Sequence, residues 1–140
     1  MKKIILLAFV MLSTILHSQN ISFKELVSFK TKPVNSIELI LEKKGYSFYT
    51  VQNKGTQWKA NDGSGIIGAN GTGVVLFMTY KVDLYKKIIS EMKQIKYKYE
   101  GKSTNKNLAG ESYSKDKNTV YVTTVKNPEN GKLIYSITII

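Results

Sequence analysis

The stretch Val34-Asn35-Ser36-Ile37-Glu38-Leu39-Ile40-Leu41-Glu42-Lys43-Lys44-Gly45-Tyr46-Ser47-Phe48-Tyr49-Thr50-Val51 decides the fold class. Ile37, Ile40 and Leu41 recur at helical spacing, with Glu38, Glu42 and Lys43 left for water. Asn35 is expected as the N-cap. Glu38, three residues on, would complete a capping box, and Val34 and Leu39 are placed for a hydrophobic staple. Lys43 and Lys44 suit the negative end of the helix dipole, and Gly45 supplies the left-handed residue that stops it. Tyr46 to Val51 then alternates as a strand. A helix passes to a strand through one glycine.

Upstream, Ile21-Ser22-Phe23-Lys24-Glu25-Leu26 repeats the same start, with Ser22 and Glu25 as a second capping box. It predicts a short helix from Phe23 to about Lys30, broken by Pro33. Downstream, residues 46–52 and 56–61 form a hairpin around the lone Trp58. Asn70-Gly71 is the turn expected to pair 65–69 with 72–80. Asp83 is expected to cap an amphipathic helix whose stripe is Leu84, Ile88, Met92 and Ile95. Residues 100–107 are polar and read as a loop. Strands follow near 108–114, 119–125 and 133–140.

Strands joined by short turns pair antiparallel, because parallel pairing needs a crossover. The expected architecture is an α+β two-layer domain, an antiparallel sheet of six or seven strands with about three helices packed on one face. A pattern of helix then hairpins occurs twice, but the halves match poorly in residues and predict no internal repeat.

Residues 1–18 read as a signal peptide. Lys2 and Lys3 precede the apolar run 4–12, and small Ser18 suits the position before a cut. Residues 19–140 are then a single α+β domain, exported to the periplasm or secreted. The apolar run is too short to span a bilayer comfortably, and no later stretch qualifies, so no transmembrane segment is expected in the mature chain. There is no cysteine, hence no disulfide.

All 21 basic residues are lysine, and the one histidine, His17, lies within the expected signal. Removing Lys2 and Lys3 leaves 19 lysines against 10 acids, a mature charge of +9. Such a balance suits an anionic partner. Missing arginine removes the bidentate fork that phosphate and guanine recognition favour, so specific nucleic-acid binding is not expected. Without His or Cys the mature chain has no Ser-His-Asp triad, thiol nucleophile or ordinary zinc site, and no cofactor or metal is expected.

Gly63-Ser64-Gly65-Ile66-Ile67-Gly68 satisfies the dinucleotide fingerprint only formally. That chemistry needs a helix opening at the third glycine, and here a strand follows. Ser103-Thr104-Asn105-Lys106 and Ser90-Glu91-Met92-Lys93 lack the context of Ser-x-x-Lys catalysis. Carboxylate chemistry remains, with lysine or tyrosine as partner. Glu111, near Tyr113, is the acid with least structural explanation.

Two surfaces are candidates for binding. One runs around the third helix and comprises Tyr80, Tyr85, Lys86, Lys87, Lys96, Tyr97, Lys98 and Tyr99, where tyrosines could anchor a partner and amines meet anions. The other is Trp58 with Tyr49 and the glycine-rich loop. The expectation is a non-catalytic binding module for a protein or an anionic envelope component. The alternative is a small carbohydrate- or cell-wall-active enzyme.

Overall fold

The computed structural model describes residues 20–105 and 108–140; the expected signal at 1–18 lies outside the described residues. The chain runs α1 (Phe23–Phe29), α2 (Val34–Lys43), β1 (Tyr46–Gln52), β2 (Gly55–Ala60), β3 (Ile66–Ala69) and β4 (Val75–Thr79). It continues through α3 (Val82–Gln94), β5 (Lys98–Asn105), β6 (Leu108–Lys115), β7 (Asn118–Lys126) and β8 (Leu133–Ile139). All eight strands form one antiparallel sheet in the order β1-β2-β3-β4-β8-β7-β6-β5.

The expected α+β plan holds, with eight strands in place of six or seven. The added strand is β5, in a segment expected to be mostly loop. It pairs only with β6, so its outer edge faces water and can carry Lys98, Glu100 and Lys102. Polarity there marks a protected edge.

The capping box of α1 forms as expected. Glu25 N–H donates to Ser22 Oγ at 3.2 Å, and Ser22 N–H donates to Glu25 Oε2 at 2.9 Å. Two other expected caps do not form. Pro33 caps α2 in place of Asn35, its carbonyl accepting from Ser36 and Ile37 N–H, which moves the cap two residues earlier. Leu39 is consequently exposed, and no staple closes over it. Likewise α3 starts at Val82 with Lys81 as N-cap, leaving Asp83 in the first turn, where its charge still suits the dipole. The stop at Gly45 is as expected, with φ +77. The β3–β4 connection is longer than a two-residue turn: Asn70 Oδ1 accepts from Thr72 and Val74 N–H, and β4 begins at Val75.

The core lies between the helices and one face of the sheet. Phe23 and Leu26 of α1, Ile37 and Leu41 of α2, and Ile88 and Met92 of α3 meet Tyr46, Trp58, Ile67, Phe77, Val120, Ile137 and Ile139 of the strands. Each large side chain buried there contributes about 1.5–3 kcal/mol.

The sheet also discloses an internal two-fold. Each half is a helix followed by a four-stranded meander, and the meanders join where Val75 pairs with Ile139 and Phe77 with Ile137. The two-fold passes through the pair between them, Leu76–Thr138. Equivalent residues follow from the register. Buried Ile37, Leu41 and Tyr46 correspond to buried Ile88, Met92 and Tyr97, all 51 residues apart. Gly45 (φ +77) corresponds to Lys96 (φ +65). Both first strands carry a bulge at the same place, between Phe48 and Thr50 in β1 and between Tyr99 and Gly101 in β5. The repeat that residue matching did not reveal is present in the backbone and core.

Candidate functional site

The structure separates the side chains that the sequence groups. Trp58 is fully buried, with Nε1 lacking a protein partner. Tyr97 is almost fully buried, its ring edge-on to Phe23 at 5.1 Å. Tyr85 is half-buried and stacks on Tyr135 at 4.8 Å. Lys86, Lys87 and Lys96 are exposed on or just after α3, and Lys87 Nζ donates to Asn20 Oδ1 at 2.8 Å. Tyr99 lies on the helix side of β5 against Tyr113, 5.4 Å between centroids. Lys98 lies on the opposite side, 3.9 Å from Glu100. These residues do not form one surface. Alternation sends neighbouring strand residues to opposite faces, and Tyr97 is drawn inward as the counterpart of Tyr46.

The sheet face without helices has a composition of its own. By register it carries Gln57 and Lys59 of β2, Ile66 and Gly68 of β3, and Leu76 and Met78 of β4. From the other half come Ile134, Ser136 and Thr138 of β8, Tyr121, Thr123 and Val125 of β7, and Ser112 and Ser114 of β6. Among the described side chains of this face, Lys59 and Lys98 are the only lysines, although the sequence has 21. The one acid by register and contact is Glu100, which accepts from Ser114 Oγ at 2.5 Å. A solvent-facing sheet surface in so basic a chain would be expected to share its charge. This one is hydroxyl, Ile, Leu, Met and Tyr.

At one end of the face five adjacent strands each contribute a residue to a depression of about 270 Å³: Tyr49, Lys59, Ile66, Met78 and Ile134. Tyr80, just after β4, stands beside them and accepts a hydrogen bond from Asn127 Nδ2 at 3.1 Å. Tyr49 is the extra residue of the β1 bulge, and Lys59 Nζ lies 5.6 Å from its ring centroid. Bulges commonly re-aim a side chain in this way. Gly65 is required nearby, because a Cβ there would lie 2.9 Å from the Met78 carbonyl oxygen. Asp62, close to the rim, accepts from Ser64 N–H at 2.7 Å and pairs with Lys81 at 3.0 Å.

Elsewhere, Tyr113 OH donates to Glu111 Oε2 at 2.7 Å. Burial, the bond to the carboxylate and its charge push the Tyr113 hydroxyl up to about 12. It therefore holds its proton at neutral pH. No group of three or more His, Cys, Asp or Glu side chains suited to a metal occurs among the described residues. No described helix is long and apolar enough to cross a membrane.

The sequence signal for this face was the second set of alternating positions in each strand, which no local pattern assigns to one surface. Only strand order joins Ile66 and Met78 to Ile134, because β8 inserts beside β4 from the far end of the chain. No protein-family model, curated protein or solved structure matches this chain.

Proposed function

We infer that the chain is an exported, non-catalytic binding module, acting in the periplasm or outside the cell, whose partner docks on the helix-free face of the sheet. Of the two partner classes consistent with its charge, a protein fits this face better than an anionic envelope polymer. The supporting observation is the composition of the face. Few charges, with Tyr121, Met78, Ile66, Leu76 and Ile134 set among hydroxyls, match the charge depletion of interface cores, whereas a polymer of anions would be met by lysines. Seven of the face's strands present neutral side chains from one rigid sheet, which lowers the ordering cost of docking.

The test is capture from envelope and secreted fractions by residues 19–140, at low and high salt, beside the variant Thr138→Lys. Thr138 sits at the centre of the face and touches no buried core position directly across the ladder, where its partner is Leu76. The reading expects a discrete protein retained at high salt by the parent and lost by the variant. Capture that vanishes with salt and ignores the variant would transfer the function to the lysine-bearing helix side.

The enzyme alternative would rest on Glu111 and Tyr113, the described carboxylate–tyrosine contact. A tyrosine raised to about 12 is a poor base near pH 7, which disfavours it.

A further inference from the structure

The two-fold provides a comparison within the molecule. The positions equivalent to Tyr49, Lys59, Ile66 and Met78 are, by register, Glu100, Ser114, Thr119 and Ile140. The same bulge and the same ladder accept a Glu–Ser pair in one half, where Glu100 bonds Ser114, and a Tyr–Lys contact in the other. Folding therefore does not require Tyr49 and Ile66, whose counterparts are Glu100 and Thr119, whereas Met78 keeps an apolar counterpart in Ile140. The Tyr49–Lys59–Ile66 combination is what distinguishes this half.

We propose that the depression over Ile66, Met78 and Ile134 is an anchor pocket for a partner protein's aromatic side chain, with an adjacent carboxylate of the partner meeting Lys59. This rests on the docking reading above and assigns that face its partner chemistry. At about 270 Å³ the pocket is smaller than the range typical of whole small-molecule ligands and suits one large side chain. Met78 gives an adaptable, polarizable floor for a ring, and Tyr49 and Tyr80 are amphipathic walls of the kind found around anchors. Arginine, another common anchor, is opposed by Lys59. Asp62, the nearby acid, is already compensated by Lys81, so the local field favours an anion.

The probe is N-acetyl-L-tryptophan as its carboxylate, compared with N-acetyl-L-tryptophanamide, titrated into residues 19–140 with methyl resonances of Ile and Met observed. Saturable shifts are expected at Ile66, Met78 and Ile134, with a Kd on the order of 1 mM for a lone side chain. The carboxylate should bind about threefold more tightly than the amide, and Lys59→Met should abolish that difference. Tyr49→Glu/Ile66→Thr transplants the other half's residues and should keep the fold while losing the shifts. Absent shifts at these methyls, no preference for the carboxylate, or unchanged binding in the transplanted variant would each overturn the pocket assignment. Loss of partner capture by Thr138→Lys alongside any of these results would leave the docking face standing without the pocket, so the two readings fail separately.

Discussion

Tyr46 and Tyr97 occupy the same position in two copies of one plan, each the first inward residue after a helix stop, but their hydroxyls are treated differently. The Tyr46 OH is buried without a protein hydrogen-bond partner, whereas burial raises the Tyr97 hydroxyl less because the Asn118 side chain nearby offsets part of it. Replacing each by phenylalanine should separate them. Tyr97→Phe loses the polar interaction with Asn118 and should cost up to about 1 kcal/mol, the net worth of a hydrogen bond. Tyr46→Phe should be neutral or stabilising, since it removes an uncompensated polar atom. Urea denaturation of both variants measures the difference.

The pH dependence should have two edges. Burial raises the Glu25 carboxyl, but the Lys44 ion pair at 2.9 Å and the bonds from Ser22 outweigh it and leave the pKa below the ordinary value. A depressed acid contributes stability above its unfolded pKa and loses it as pH falls through the folded one. Unfolding midpoints should therefore drop as pH falls below about 4.5, and less steeply in Glu25→Gln. Ser22→Ala, which removes the other half of the box, should cost about 1 kcal/mol at neutral pH. On the alkaline side, burial, with the Asp62 and Glu25 charges, pushes Tyr46 up to about 12. A tyrosine raised in the folded state favours folding below pH 10 and loses that contribution as pH rises toward 12. Tyrosinate absorbance should show one fewer late-titrating group in Tyr46→Phe.

Two glycines in the sheet should respond differently to alanine. A Cβ on Gly110 would collide with the Val122 carbonyl oxygen, so β6 and β7 would have to part. Gly110→Ala should destabilise by about 1–3 kcal/mol. At Gly68 a Cβ meets Gln57 Cγ at 3.5 Å, Leu76 Cβ at 3.6 Å and the Thr56 carbonyl oxygen at 3.9 Å, ordinary contacts. Gly68→Ala should leave the thermal midpoint within a degree or two of the parent, about the effect of a surface change.

What was legible in the sequence was local. The Gly45 stop, the Ser22–Glu25 box and the stripe through Ile88 and Met92 depend on neighbours a few residues apart, and all are present. The caps at Asn35 and Asp83 were misplaced because Pro33 and Lys81 already stand in extended-type backbone two residues earlier. Strand β5 was hidden by its edge position, which lets it be polar. The two-fold was hidden because it is preserved in inward residues and positive-φ positions, while the surface diverged. Tyr97 was grouped with exposed lysines, and Trp58 with Tyr49 and the glycine-rich loop, by proximity in the chain, although both are buried in the core. The helix-free face depends on β8 lying beside β4, a pairing set by long-range packing that no short window contains.

The central claim is that a partner protein docks on the helix-free face. It is tested most directly by comparing high-salt capture by residues 19–140, by Thr138→Lys, and by Lys86→Glu/Lys87→Glu on α3, after circular dichroism has established that all three are folded. Retention of a discrete protein by the parent and the α3 variant, with loss by Thr138→Lys, is the predicted result. Retention by Thr138→Lys with loss by the α3 variant would contradict the account and place the interface on the helix side.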